Sequence, residues 1–188
     1  MPDSWTISVN VETKRLILRA VEPEDASFLA DLVNDPEVRG ALGAYSLVYP
    51  VSVEEEEKWV AKVESRDDES NMVVCKRQGM KPIGLMSVRD IRERVASAHV
   101  TIILAKEHWD KGFGQEAMEG VLSLLFDRMN LHRVWLRVAE DNKRAIRCYE
   151  KCGFLREGVL REDHFQSGKW ANSLVMAILA DEFRRRHR

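Results

Sequence analysis

Two glycines separated by one residue, Gly112 and Gly114, lie where a strand-like pattern changes into a helical one. Glycine lets the main chain approach a ligand closely, and the first amides of a helix point outward at the positive end of its dipole. Such a site binds phosphate oxygens without a basic side chain, and Lys111 adds a positive charge beside it. Short glycine patterns also occur in turns that bind nothing. The residues therefore favour a phosphate-binding loop and leave a plain turn open.

The same spacing satisfies the fingerprint of dinucleotide-binding folds. Gly112, Gly114 and Ala117 follow its glycine pattern, and Glu140 comes roughly 20 residues later, where an acidic residue would bind a ribose. That fold needs strands and helices that alternate after the loop, whereas residues 154–179 have the pattern of a hairpin. A P-loop is excluded because no Gly-Lys-Ser/Thr follows the glycines. A nicotinamide-dependent enzyme stays as the lesser alternative.

The elements that must position this loop have a mixed α/β pattern. Alternation of apolar and polar residues predicts strands at 14–20, 72–77, 82–89, 96–105, 133–138, 154–162 and 170–179. Helical apolar repeats predict helices at 24–35, 53–65, 109–129 and 142–153, with an irregular, substrate-facing segment at 37–52. We expect one domain spanning 1–188, with a central, mostly antiparallel, strongly twisted sheet of about seven strands and helices on both faces.

Composition excludes several classes of protein. The chain has 188 residues, of which 45% are hydrophobic and 32% are charged, as in an ordinary globular domain. A net charge of −2 offers no general attraction to nucleic acid or to a membrane surface, and the basic run at 184–188 has the character of a solvated terminus. The sequence shows no secretory signal and no apolar run long enough to span a membrane. Three cysteines, an odd number, indicate a reduced, cytoplasmic protein without a structural metal.

Two motifs together carry a resemblance to a known family. The segments at 109–117 (WDKGFGQEA) and 142–154 (NKRAIRCYEKCGF) resemble the GNAT superfamily of acetyl-CoA-dependent N-acetyltransferases. The segments at 13–26 (TKRLILRAVEPEDA) and 153–179 are similar to the branch that holds ribosomal-protein N-terminal acetyltransferases and spermidine N-acetyltransferases. The likeness covers nearly the whole chain in one order, which is more specific than either motif alone. It implies a GNAT-like fold and transfer of an acetyl group to a primary amine.

The resemblance also implies where acetyl-CoA, the cosubstrate, is bound. The cofactor should lie in a cleft between the strands at 96–105 and 133–138. Main-chain groups of one strand should bind the pantetheine arm, the glycine loop should bind the diphosphate, and the capped turn at Asn142 should contact the far side of the arm. By position in the family motifs, the residues are Ile102, Ile103, Leu104, Trp109, Lys111, Gly112, Phe113, Gly114, Gln115, Asn142, Arg144 and Ala145.

The catalytic residues are implied in the same way. Tyr149 stands where the family commonly places a tyrosine beside the thioester sulfur, and a phenol with a reference pKa of ~10 stays protonated and can donate to the departing thiolate. His99 stands where relatives often have Glu, and a neutral imidazole can accept the proton of the amine, directly or through water. Glu162, Asp163 and His164 form an alternative cluster for orienting or deprotonating the amine. A core tyrosine and a packed histidine are the structural alternatives.

The acceptor is not fixed by these residues. A polyamine, a protein N-terminus and a small amine such as an amino acid are all open, and the acidic run at 54–57 mildly favours a cationic acceptor. That run equally suits a solvated helix start. A non-catalytic acyl-CoA-binding module is a further alternative, and a homodimer is an expectation drawn from the family.

Overall fold

The computed structural model of the chain describes residues 10–45, 49–63, 69–92, 95–166 and 168–187. Within these residues, eight strands form one sheet with the spatial order β1-β2-β3-β4-β5-β6-β8-β7. All neighbouring pairs are antiparallel except β5 and β6, which are parallel. The strands are β1 (Val11–Glu12), β2 (Leu16–Ala20), β3 (Ser70–Lys76), β4 (Pro82–Arg92), β5 (Ser97–Leu104), β6 (Arg133–Ala139), β7 (Leu155–Gln166) and β8 (Lys169–Leu179).

Helices cover both faces of this sheet. Apolar residues of α4, among them Met118 and Leu122, are fully buried in the larger core on one face. Leu29 of α1 and Val60 of α3 belong to a smaller core on the other face, together with Val73 of β3. In the described residues the α-helices are α1 (Ala26–Asn34), α2 (Pro36–Leu42), α3 (Val53–Val63), α4 (Phe113–Ser123), α5 (Lys143–Cys152) and α6 (Ala180–Arg186).

The parallel pair creates the main irregularity of the sheet. β5 and β6 are in register only at Ser97, Ala98 and His99 of β5. Beyond His99, β5 continues along β4 as far as Leu104, while β6 continues along β8 as far as Ala139. The two strands therefore diverge, and the predicted cleft between them is present.

The expected mixed α/β fold is confirmed, with three elements that the sequence did not predict. The sheet has eight described strands rather than about seven, because the two-residue β1 is too short to show an alternating pattern. Part of the segment predicted to be irregular is helix α2, in which Pro36 occupies the first turn and Asp35 Oδ1 accepts from the amides of Glu37 and Val38 at 2.8 and 3.0 Å. Residues 46–48 of that segment lie outside the described residues.

The third unpredicted element is α6, which contains most of the basic run. Its Phe183 is only 3% exposed, and Arg184 donates to the carbonyl of Phe126 at 3.1 Å, so the helix is packed against the core. Residues 1–9, Ser167 of the predicted hairpin turn and Arg188 lie outside the described residues. Of the helices that are described, none combines the length and apolarity needed to cross a bilayer.

Candidate active site

A cleft of about 250 Å³ opens where β5 and β6 diverge. Its walls come from β5, β6, the loop before α4, the first turns of α5 and helix α2. The structure brings most of the predicted cofactor and catalytic residues to this cleft: Ile102, Ile103, Leu104, Trp109, Gly112, Gly114, Gln115, Asn142, Arg144, Ala145 and Tyr149. Three predicted residues, Lys111, Phe113 and His99, are not among those that line it.

The edge of β5 that faces the cleft offers main-chain groups to a ligand. The amide of Ala105 donates to Ile83 of β4 at 2.9 Å, and in an antiparallel pair the bonded residues alternate along the strand. Ile103 therefore directs its main-chain groups toward β4. Ile102 and Leu104 direct theirs toward the edge that β6 has left. The sequence could not distinguish these neighbours, because the direction depends on the register of the β4–β5 pair.

The loop before α4 is held in an unusual main-chain conformation. Asp110 and Gly112 both have left-handed φ values, of 55° and 77°, and Gly112 is the residue that caps the helix. The first intrahelical bond runs from the amide of Glu116 to Gly112 O at 3.1 Å. The three amides between these residues, at positions 113–115, precede that bond and so have no carbonyl within the helix. They form the outward-facing donor set that the glycines predict.

Side chains on both sides of the loop fix its position. Trp109 Nε1 donates to Leu104 O at 2.8 Å, and the guanidinium of Arg144 lies over the Trp109 ring with its Cζ 3.2 Å from the centroid. These contacts tie the loop to β5 and to α5. Trp109 and Arg144 thus act here through an indole donor and a cation–π contact, which a motif match does not reveal.

A second tie joins the loop to the turn between β1 and β2. Glu116 accepts from Thr13 Oγ1, from the amide of Arg15 and from Arg15 Nε, each at 2.6 Å. Burial alone would raise the pKa of Glu116, but these hydrogen bonds outweigh it and lower the pKa. Arg15 also donates to Lys111 O at 3.0 Å and lies 4.4 Å over the Phe113 ring. Glu116 is therefore ionised at neutral pH and anchors the first turn of α4.

Lys111 and Phe113 contribute through their main chain. Lys111 Nζ donates to Glu107 O at 2.6 Å, within its own loop. The ring of Phe113 lies among cationic side chains outside the cleft lining. Their predicted roles as diphosphate-binding amides need no particular side chain and stay predictions.

Asn142 connects the two walls of the cleft. Its Oδ1 accepts from the amide of Ala145 at 3.1 Å, which caps α5, and its Nδ2 donates to Ala41 O of α2 at 3.0 Å. Helix α5 ends, as predicted, at Gly153 with a left-handed φ of 99°. Tyr149, on the buried side of this helix, is 8% exposed, lines the cleft and packs edge-on against Phe154 with centroids 5.9 Å apart.

His99 is not brought to the cleft with Tyr149. It is 4% exposed in β5, and its ring contacts Trp135 of β6 edge-on with centroids 4.5 Å apart. Burial lowers the pKa of His99 to about 4, and the positive charges of Arg89 and Arg137 add to the effect, while Asp90 opposes it. The imidazole is therefore neutral at physiological pH.

The end of the cleft nearest β6 is polar. Arg137 lines it and donates to Asp163 Oδ1 of β7 at 3.3 Å. Thr101 Oγ1, Asp163 Oδ2 and His164 Nε2 are buried and have no hydrogen-bond partner among the described residues. His164 Nδ1 lies 3.4 Å from Ser173 Oγ. Buried polar groups normally have partners, so these atoms are unusual. Of the three residues, Thr101 lines the cleft, whereas Asp163 and His164 are outside its lining.

Sequence reasoning missed several residues of this cleft. Val38, Ala41 and Leu42 form its α2 wall, but this short helix was not predicted. Arg137 could have been found, because a charged residue inside an otherwise apolar strand pattern (RVWLRV) marks a functional or paired position. His108 also lines the cleft and carried no recognised signal.

Comparison with known proteins agrees with this geometry. A family model described as an acetyltransferase (GNAT) domain matches residues 15–155. The spermidine N(1)-acetyltransferase of Vibrio cholerae is 31% identical over 169 residues, which cover 90% of this chain and 95% of that protein. The spermidine N(1)-acetyltransferase of Escherichia coli K12 is 25% identical over 171 residues, or 91% of this chain and 89% of that protein.

A solved structure gives the same result for the fold. The crystal structure of the Vibrio cholerae spermidine N-acetyltransferase in complex with CoA and spermine has a TM-score of 0.83 and 32% identity, and it covers 92% of this chain and 99% of that chain. The chain therefore belongs to the acetyltransferase (GNAT) family and is an N-acetyltransferase that uses acetyl-CoA.

Proposed function

We propose that this enzyme transfers the acetyl group of acetyl-CoA to a primary amine of a polyamine such as spermidine or spermine. The observation that supports it most is the placement of the open β5 edge beside the outward-facing amides at 113–115, in one cleft with Tyr149. Such a cleft suits a ligand with an amide-containing arm and a diphosphate. The polyamine acceptor is supported by relatives named spermidine N(1)-acetyltransferase.

In this proposal the strand edge and the loop hold acetyl-CoA. Main-chain groups of Ile102 and Leu104 bind the pantetheine arm like an added strand, and the amides at 113–115 bind the diphosphate. Trp109 and Arg144 keep the loop in place, while Asn142 and Ala145 border the arm from α5. An amide on the open edge of β5 also stabilises the oxyanion that forms when the amine attacks the thioester.

Tyr149 is the proposed general acid. When the tetrahedral intermediate collapses, the carbon–sulfur bond breaks and the thiolate of CoA needs a proton. The Tyr149 hydroxyl supplies it, since a buried phenol is protonated at neutral pH.

The amine must lose a proton before or during its attack, and His99 and the Asp163–His164 pair are the two proposed routes. His99 reaches the amine only through water, because it does not line the cleft, and its low pKa makes it a weak base. Asp163 and His164 also lie outside the lining, but each has a buried atom without a hydrogen-bond partner among the described residues. If His99 is the base, His99→Ala flattens the acidic limb of the rate–pH profile; an unaltered limb assigns the proton to the β7 pair.

Asp163 is the proposed contact for the cationic acceptor. Its carboxylate is paired with Arg137 through Oδ1, and the buried Oδ2 is the oxygen left to accept a hydrogen bond from an ammonium group. The acidic run at 54–57 gives less support, because Glu55 accepts from the amide of Ser52 at 2.8 Å in a capping box and Glu54 pairs with Lys58 at 2.7 Å. These two carboxylates stabilise the start of α3.

A protein N-terminus is the second proposed acceptor. Arg137 places a positive charge at the acceptor end of the cleft, which favours a substrate with carbonyl or carboxylate oxygens close to its amine. A bare polyamine has no such oxygens.

We further propose a homodimer in the cytoplasm. The edge strand β7 exposes Leu155 and Val159 by 59% and 50%, and a second copy would cover them. All three cysteines are unpaired, as expected in a reducing compartment. Light scattering measures the assembly directly, and a monomer at micromolar concentration contradicts it.

A thiol-release assay with acetyl-CoA tests the activity against spermidine, spermine, amino acids and N-terminal peptides. Turnover with polyamines supports the proposal, turnover with peptides alone selects the second acceptor, and acetyl-CoA binding without turnover indicates a binding module. Gly112→Ala provides a matched cofactor-site variant, because its φ is left-handed and its new Cβ would lie 3.3 Å from Arg15 Nη2. We expect the Kd of acetyl-CoA to rise about tenfold, given a left-handed penalty of roughly 1–2 kcal/mol for a residue with a side chain. An unchanged Kd would remove the loop from cofactor binding.

A further inference from the structure

His108 is a buried polar side chain with unsatisfied donors and acceptors. The residue is 5% exposed and lies in a single helical turn, Lys106–His108, between β5 and the glycine loop. Neither Nδ1 nor Nε2 has a hydrogen-bond partner among the described residues, although the side chain lines the cleft. An imidazole that is buried without partners loses its hydrogen bonds to water, which costs free energy unless a ligand replaces those bonds.

Packing explains only part of this placement. The His108 ring meets the Phe113 ring edge-on with centroids 6.0 Å apart, and Phe113 is the first residue of α4. A phenylalanine or leucine would fill the same space without burying two polar nitrogens. Packing therefore does not explain why this position carries two polar ring nitrogens.

The charges around His108 define the kind of ligand that fits. The positive charges of Lys76 of β3, Lys81 before β4 and Lys111 of the glycine loop act on its ring, although these lysines do not line the cleft. Glu107 is the one acidic neighbour in that set, with Oε1 3.8 Å from Nε2, and its side chain is 65% exposed. Burial lowers the pKa of His108, and the three lysines lower it further, so the ring is neutral and presents an N–H donor. Three cations and a neutral donor suit an anion.

We infer that His108, which lines the cleft in the positive field of Lys76, Lys81 and Lys111, donates a hydrogen bond to a phosphate oxygen of CoA. The inference depends on the proposed placement of the cofactor, since it uses the same cleft. It adds a side-chain contact to a region otherwise described by main-chain donors. CoA carries two possible partners, the diphosphate and the 3′-phosphate, which share this chemistry.

Calorimetry with CoA and with 3′-dephospho-CoA tests the inference. The variants are His108→Phe, which keeps a ring against Phe113, and His108→Gln, which keeps an N–H donor. His132→Phe is the matched control, because His132 is exposed and lies outside the cleft lining. We expect His108→Phe to raise the Kd of CoA about tenfold, as for loss of a hydrogen bond to a charged group. His108→Gln should recover most of that loss, and His132→Phe should change nothing.

The two ligands locate the contact. If His108 binds the 3′-phosphate, the effect of His108→Phe disappears with 3′-dephospho-CoA; if it binds the diphosphate, the effect remains. An unchanged Kd of CoA in His108→Phe overturns the inference. It is also overturned if His108→Phe and His108→Gln raise the Kd of CoA equally and lower the melting temperature equally. If the wild-type protein binds no CoA, the proposed function fails together with the inference. If the wild type binds CoA but His108→Phe has the same Kd, the inference alone fails.

Proton uptake gives a second readout that a purely structural role would not affect. A bound phosphate beside the imidazole opposes the lysine charges and raises the pKa of His108 toward its ordinary value, so binding at pH 6 to 6.5 takes up protons. Calorimetric titration in buffers of different ionisation enthalpy measures the number of protons taken up when CoA binds. Wild-type protein should take up more protons than His108→Gln; equal uptake contradicts a phosphate contact at this ring.

Discussion

The two ends of the cleft differ in the kind of group that they offer to a substrate. At the end proposed to bind acetyl-CoA, main-chain amides on the open edge of β5 and at positions 113–115 are donors. At the end proposed to bind the acceptor, the polar groups are side chains, with Thr101 in the lining and Asp163 and His164 outside it. Main-chain donors survive substitution as long as the fold is kept, whereas side-chain groups change with each residue. Relatives at 31% identity therefore support the cofactor more securely than the acceptor.

Tyr149 stands between the two ends, and its replacement has the largest expected effect. Tyr149→Phe removes only the hydroxyl and keeps the ring against Phe154. Turnover should fall at least about 100-fold, the usual contribution of a general acid, while the Kd of acetyl-CoA should stay constant because none of the proposed cofactor contacts uses this hydroxyl. Steady-state kinetics and calorimetry measure the two quantities.

The control for this variant is Tyr49→Phe, since Tyr49 is 78% exposed. Normal turnover in Tyr149→Phe would take the hydroxyl out of the chemistry. A large rise in the Kd of acetyl-CoA would break the division between the two ends, because it would place Tyr149 among the cofactor contacts.

His99 sharpens the comparison by testing how strongly a polar side chain of β5 outside the cleft lining is buried. Burial and two arginines lower its pKa from 6.5 to about 4, so the unfolded chain binds a proton at a pH where the folded chain does not. The contribution of His99 to the free energy of unfolding is fully present above pH 6.5 and is lost as the pH falls toward 4. At pH 5 the loss is about 2 kcal/mol.

Urea unfolding of wild-type protein and His99→Gln measures this loss, because other titrating groups cancel in the difference. Between pH 7 and pH 5 the wild type should lose about 2 kcal/mol more of its unfolding free energy than the variant. Equal losses would mean that His99 is more hydrated than the structure indicates, and that it could serve as a base near neutral pH.

The elements that line the proposed cofactor end were largely predictable because their signals are local. A strand pattern, two glycines and a capped helix at Asn142 follow one another in the sequence, and each dictates main-chain geometry. What the sequence could not give was the direction of Ile102 and Ile103, which the register with β4 decides. Helix α2 was not predicted because it has only seven residues and contains Gly40. Its place in the wall of the cleft depends on tertiary contacts such as the hydrogen bond from Asn142 to Ala41 O.

The acceptor end was less predictable because its geometry depends on a break in pairing. The register of β7 and β8 shifts between Leu160 and His164, and Glu162 adopts a left-handed φ of 51° within that shift. The shift brings Asp163 within 3.3 Å of Arg137, on the far side of β8. Sequence alternation alone assigns each residue of β7 to a face and cannot locate such a bulge.

Asp163→Asn has the smallest expected effect and tests the acceptor end directly. The amide keeps the size of the side chain but removes its charge, so an ammonium group loses a charge-assisted hydrogen bond. The KM for the amine should rise about tenfold, and the Kd of acetyl-CoA should not change. Glu162→Gln is the control, because Glu162 is the exposed neighbour and loses the same charge. If both variants raise KM equally, the effect comes from the general field of this surface, and if neither does, the amine binds elsewhere. A rise limited to Asp163→Asn would show that one side chain, positioned by a bulge, makes the acceptor contact.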